Sequence, residues 1–183
     1  RRERSAKGTP QPMSTSPSLA TSSLADYTSA SLIVPQLGEG DTPGVIQELS
    51  RLMQQAHRIP DLLPFYHAVL NREFLVSTAM DYGMAFPHAR LSILKELCFA
   101  LGRTARPISW GPKGTVPINL VFLIAVPATD AAGYINLISG FARLGKESQL
   151  LARICAAEEG EEMMAVLRQI PVRPSKGAAA WHP

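Results

Sequence analysis

Two rhythms of apolar positions run along the chain. Val45, Ile46, Leu49, Leu52 and Met53 recur three and four residues apart, the period of a helix with one buried face. Asp41 or Thr42 can cap that helix, and Pro43 suits its first turn, where a missing N–H costs nothing. A second helix is predicted over "PDLLPFYHAVLNRE" (60–73), with Leu62, Leu63, Tyr66, Val69 and Leu70 as its inward positions. Ahead of both, "SASLIVPQL" (29–37) reads as a short strand, closed by the turn-forming Gly-Asp-Thr-Pro-Gly.

The second rhythm is continuous rather than periodic. "LCFALG" (97–102) and "INLVFLIAVP" (118–127) read as buried strands, and the second is apolar at successive positions, as in a strand covered on both faces. Residues 74–96 read as a Gly-containing connection. The stretch "TARPISWGPKGTVP" (104–117) reads as a loop with a short edge strand near Ile108–Trp110. Three helices follow: "DAAGYINLISGFARLG" (130–145), "ESQLLARICAA" (147–157) and "EGEEMMAVLRQI" (159–170). Gly145 suits a helix stop, and Glu161 and Glu162 suit the positive end of the last helix. The order of elements predicts an α/β fold, a single-domain sandwich with a mixed central β-sheet flanked by helices. Residues 24–170 form the expected domain. Residues 1–23, rich in Ser, Thr, Pro and Arg, are expected to be a disordered N-terminal tail, with residues 1–12 upstream sequence ahead of Met13. Residues 171–183 are expected to form a flexible C-terminal tail.

Composition narrows the function. A hydrophobic content of 46% with 18% charged residues suits a globular protein. No apolar run is long enough to cross a bilayer, so direct membrane insertion is not expected. Arg1, Arg2, Arg4 and Lys7 against Glu3 account for the whole net charge of +3. The remaining residues balance, which argues against nucleic acid as a partner. Cys98 and Cys155 make neither a zinc pattern nor a disulfide framework, and Cys98, within "ELCFALG", reads as a buried thiol. A reducing, cytoplasmic location follows.

Candidate chemistry converges on "GMAFPHAR" (83–90). The four histidines, His57, His67, His88 and His182, show no metal-ligand spacing, so neither a metal nor a cofactor is expected. Phosphate-cradling Gly-rich loops and a GxSxG nucleophile elbow are also missing. A neutral imidazole can accept a phosphoryl group on one ring nitrogen when a hydrogen bond holds the other as N–H. Arg72 or Arg90 could supply the cation, and Gly83 a close backbone approach. Taken by itself, an apolar-flanked histidine is more often scaffold than nucleophile.

The longer segment "NREFLVSTAMDYGMAFPHAR" (71–90) resembles the active-site region of the fructose/mannitol-type (nitrogen-regulatory) enzyme IIA domains of the bacterial phosphoenolpyruvate-dependent sugar phosphotransferase system. Arg72 and Glu73 match that family's Arg-Glu, Ser77 and Thr78 its Ser/Thr-Thr, and Gly83, Ala85, Pro87, His88, Ala89 and Arg90 its Pro-His block. The likeness continues through "INLVFLIAVP" and covers most of residues 24–170. It implies a phosphotransferase component with a phosphohistidine intermediate. His88 would take the group from the histidine phosphocarrier protein and pass it to an enzyme IIB domain. Arg72 would lie beside the phosphate, with Arg90, Ser77, Thr78, Gly83 and Tyr134 in supporting places.

Ala79 and Asp81 stand where the family pattern has glycines, and Asp81 could orient an imidazole nitrogen or merely solvate the loop. Tyr134 stands where that family usually has a second active-site histidine, and a phenol cannot carry positive charge. Met84 and Phe86 are either a docking surface for the phosphocarrier protein or core residues. The alternative within the same family is a regulatory nitrogen-type module whose phosphorylation state controls a protein target. A phosphoester hydrolase ranks last, because Pro-His-Ala-Arg lacks the Arg-His-Gly of histidine phosphatases.

Overall fold

The computed structural model describes residues 22–114 and 116–173. Residues 1–21 and 174–183, most of the two tails expected over 1–23 and 171–183, lie outside the described residues, and His182 with them. The first two α-helices, α1 (Thr42–Gln55) and α2 (Leu62–Leu75), follow a short strand. Asp41 caps α1 by accepting from the Gly44 N–H at 2.8 Å, and Asp61 caps α2 by accepting from Leu63 N–H. Six strands follow the expected mixed pattern: β1 (Ile33–Val34), β2 (Ala79–Met80), β3 (Met84–Ala85), β4 (His88–Leu91), β5 (Cys98–Ser109) and β6 (Pro117–Pro127). Helices α3 (Ala131–Lys146), α4 (Ser148–Ala156) and α5 (Gly160–Leu167) close the chain.

The sheet runs β1-β5-β6-β3-β2, with β4 also paired to β6. Strands β5 and β6 are antiparallel, while β1 on β5, and β3 and β4 on β6, are parallel. On one face Leu120, Phe122, Ile124 and Val126 meet α3, α4 and α5 through Leu137, Phe141, Leu144, Ile154 and Met163. On the other, Val121, Leu123 and Ala125 meet α1 and α2 through Val45, Ile46, Leu49, Phe65 and Val69. Both faces of β6 are therefore dry, as its uninterrupted apolar run predicts. Each fully buried large side chain there contributes about 1.5–3 kcal/mol of transfer free energy. Cys98 is buried, as expected, and burial pushes its thiol up to about 11. Among the described residues, no helix is long and apolar enough to cross a membrane.

Three readings of the pattern need correction. The stretch 104–117 is not mainly loop: β5 continues unbroken to Ser109, with a register irregularity between Arg103 and Ile108 that absorbs Arg106 and Pro107. The supposed connection over 74–96 holds three short strands, and His88 stands on one of them. Helix α2 is rotated from its expected face: Phe65, Val69 and Glu73 point inward, and Leu63 is exposed. Pairing between the chain's two described ends falls just outside residues 24–170, where the Val172 N–H donates to Ser22 O at 2.7 Å.

Candidate functional site

His88 occupies a strand that is really the second half of β3. Met84 pairs with Leu120 and His88 with Ile124, so β3 and β4 keep one register along β6 and break only at Phe86–Pro87. Pro87 has no N–H to give the ladder, but its carbonyl still accepts from Ile124 N–H at 2.9 Å. The backbone of Phe86 is engaged by side chains instead. Its N–H donates to Thr78 Oγ1 at 3.1 Å, and its carbonyl lies 2.9 Å from His88 Nδ1. A carbonyl only accepts, so Nδ1 carries the proton and the lone pair belongs to Nε2.

Strand alternation sets what His88 meets. Ala85 and Ala89 pack toward α1 and α2, whereas Met84 and Phe86 pack toward α3. His88 shares the α3 side, and there Tyr134, in the first turns of α3, faces it with ring centroids 5.0 Å apart. Asp130 caps that helix by accepting from Gly133 N–H at 2.9 Å. The Tyr134 hydroxyl stands 3.4 Å from both imidazole nitrogens. That is longer than an ordinary O–H···N bond, so it touches the ring without holding it.

His88 is half-buried, and its pKa lies below the ordinary 6.5. Burial is the main cause and the Arg72 charge adds to it; the Phe86 carbonyl and the Glu73 charge pull the other way. The ring is therefore neutral, with a free Nε2, at neutral pH. Burial also raises the Tyr134 phenol, against a smaller lowering by Arg72, and keeps it uncharged.

The other expected site residues divide. Arg72, half-buried in the last turn of α2, donates to Val76 O at 2.8 Å and acts on both His88 and Tyr134 through its charge. Thr78 donates its hydroxyl to Glu73 at 2.6 Å, so this oxygen serves the scaffold. Ser77 Oγ accepts from Ala79 N–H at 3.2 Å, a local turn bond. Arg90 is exposed and donates through Nε to Ala128 O at 3.0 Å. Gly83 serves the turn between β2 and β3: its φ is +73°, and a Cβ there would clash with Asn119 Oδ1. Asp81 is exposed in that turn, and the imidazole is oriented by Phe86 O. Met84 and Phe86 are 2% and 4% exposed, which rules out a docking surface made of them. Instead Leu75, Val76 and Ile135 are exposed, next to Arg72 and Tyr134 in the chain. Among the described residues, no group of three or more His, Cys, Asp or Glu side chains could hold a metal.

Glu73 is the residue that the sequence reading passed over, naming it only as half of an Arg-Glu pair. Its side chain is fully buried and accepts from Thr78 N–H at 2.7 Å, Thr78 Oγ1 at 2.6 Å and Trp110 Nε1 at 2.8 Å. Four residues after Val69 and eight after Phe65, it continues the buried stripe of α2, and that spacing was the available signal.

The model of the phosphoenolpyruvate-dependent sugar phosphotransferase system EIIA 2 family matches residues 27–170. A nitrogen regulatory protein of Bradyrhizobium diazoefficiens is 27% identical over 152 residues, covering 81% of this chain and 96% of the relative. A fructose-specific EIIA component of the same kind of system, from Haloferax volcanii, is 26% identical over 127 residues, covering 69% and 82%. In fold the chain resembles enzyme IIAMTL of Escherichia coli, solved in complex with phosphorylated enzyme IIBMTL. The TM-score is 0.65 at 15% identity, covering 76% of this chain and 95% of that one. With most of its length matched and the same mixed sheet between helices, the chain belongs to the EIIA 2 family of the phosphoenolpyruvate-dependent sugar phosphotransferase system.

Proposed function

We propose that residues 24–170 form a cytoplasmic phosphoryl carrier that accepts a phosphoryl group on His88 Nε2 from the histidine phosphocarrier protein and donates it to an enzyme IIB. The observation that carries this reading is the 2.9 Å contact between His88 Nδ1 and the Phe86 carbonyl, which leaves the Nε2 lone pair free. That lone pair attacks the phosphorus of the donor's phosphohistidine. The Nε2–P bond forms as the donor's N–P bond breaks, and the leaving electron pair returns to the donor imidazole, which takes up a proton. Transfer to an enzyme IIB repeats the exchange with this chain as donor. Chemistry of this type rests on positioning and charge stabilisation, and Arg72 is the cation at hand. Leu75, Val76 and Ile135 offer exposed apolar area for a docking partner.

Incubation with phosphoenolpyruvate, enzyme I and the phosphocarrier protein, followed by intact mass, tests the proposal. The wild type should gain one acid-labile, base-stable phosphate, His57→Ala and His67→Ala should behave alike, and His88→Ala should gain none. Phosphate on His88→Ala would refute the assignment.

A second reading, a regulatory module controlling a protein target, is favoured by Tyr134. A neutral phenol stabilises a phosphate dianion less than an imidazolium would, which suits a slow donor whose phosphorylation state is sensed.

A further inference from the structure

Glu73 is the only buried ionisable carboxylate among the described residues, and its burial needs a reason. An isolated charge taken out of water is costly unless donors replace the lost hydration. Here three donors do so, and one of them leads toward the reacting histidine. Glu73 Oε2 accepts from the Thr78 hydroxyl, Thr78 Oγ1 accepts from Phe86 N–H, and Phe86 O accepts from His88 Nδ1. On the far side Trp110 Nε1, at the end of β5, anchors the carboxylate. Trp110 is 1% exposed, so the anchor is itself buried. The Phe86 backbone is thus held at both its N–H and its carbonyl, at the interruption between β3 and β4.

We infer that Glu73 is a positioning residue for His88: acting through the Thr78 hydroxyl, its buried carboxylate fixes the backbone of Phe86, whose carbonyl holds the imidazole as the Nδ1–H tautomer. The inference rests on the phosphoryl-carrier reading for its consequence in rate, and on hydrogen-bond geometry alone for its consequence in structure. Glu73 also acts on His88 by charge. Arg72 and Glu73 of α2 are the ionised groups acting on this ring, with opposite signs, and the titratable Tyr134 faces it from α3. The charge of Glu73 would shift the titration of His88 in either case, but a merely structural carboxylate would leave its tautomer alone.

The test reads His88 by imidazole ¹⁵N NMR, and in parallel the rate of phosphate uptake from the phosphocarrier protein, in wild type, Glu73→Gln, Thr78→Val and Thr78→Ser. Glu73→Gln keeps the shape but removes the charge and turns one acceptor into a donor. Its His88 titration midpoint should fall, and uptake should slow about tenfold, the equivalent of about 1.4 kcal/mol, at unchanged half-saturating donor. Thr78→Val should lose the exclusive Nδ1–H tautomer and slow uptake by a similar factor, and Thr78→Ser should restore what Thr78→Val loses. A folded Glu73→Gln with wild-type midpoint and rate, or a Thr78→Val with wild-type tautomer and rate, would overturn the inference. If Glu73→Gln does not fold, the valine and serine pair decides. If wild type takes up no phosphate, the carrier reading fails, while the NMR arm still decides whether Glu73 and Thr78 hold the ring.

Discussion

On its α2 side His88 is tied to a chain of hydrogen bonds between 2.6 and 3.1 Å long, ending in a buried carboxylate; on its α3 side a single phenol stands 3.4 Å from both ring nitrogens. The contrast separates two tasks. One nitrogen is locked by a carbonyl and the other is left nearly uncommitted, which is the division the proposed carrier role asks for. A nucleophile needs a fixed direction and a free lone pair, and tight bonds on both nitrogens would supply the first at the expense of the second.

The largest effect should come from breaking the tight side at its root. Phe86 stacks on Phe122 and Phe141 at centroid distances of 5.4 and 5.1 Å while its backbone holds His88. Phe86→Ala should lower stability by about 3–5 kcal/mol in chemical denaturation. A loss well under 1 kcal/mol would mean that the stack does not anchor this strand. Next, Arg72→Ala should slow phosphate uptake by about one to two decades, the worth of a charge-assisted bond to phosphate at about 1.5–3 kcal/mol. It should also raise the His88 midpoint, opposite in sign to Glu73→Gln. Uptake at the wild-type rate would demote Arg72 to a helix-end residue that serves Val76.

The loose side should respond less. Tyr134→His places a group that can ionise as phosphate arrives, and transfer in at least one direction should accelerate about five- to thirty-fold, roughly 1–2 kcal/mol. Unchanged rates in both directions would remove the case for a slow, sensing donor. The smallest effect concerns pH. In the unfolded chain His88 binds its proton near 6.5, and in the folded protein only at lower pH. Its contribution to stability is therefore fully present above about 6.5 and is lost as pH falls from there through the depressed folded value. His88→Ala should flatten that segment of a melting-temperature profile between pH 7 and 5. A segment that keeps its slope in His88→Ala would assign it to another group.

The two regions also differ in how plainly the sequence announces them. Strand β6 and the helices behind it were readable because burial on both faces leaves an unbroken apolar run, and burial on one face leaves a 3.6-residue period. Residues 74–96 obey neither rule. Strands β2 and β3 have two residues each, too short for alternation to register, and the bonds of Glu73 and Thr78 beside them leave no period in the sequence. Arg106 and Pro107 disguised the middle of β5, where a bulge tolerates what a regular ladder would not. At the site, the Pro-His block pointed to His88, but the partner of Nδ1 is a backbone carbonyl, which no side-chain pattern reveals. Gly83 and Arg90, named for their match to the family's Pro-His block, also have local tasks that the pattern does not show, a turn for one and the Ala128 carbonyl for the other.

The central claim is that the Phe86 carbonyl holds Nδ1 and leaves Nε2 of His88 to react. The most direct test is ¹⁵N and ³¹P NMR of imidazole-labelled protein after phosphorylation by the phosphocarrier protein. Phosphorus should couple to Nε2 of His88, with Nδ1 still protonated and bonded to Phe86 O. Phosphorus on Nδ1, or on any residue other than His88, would contradict it.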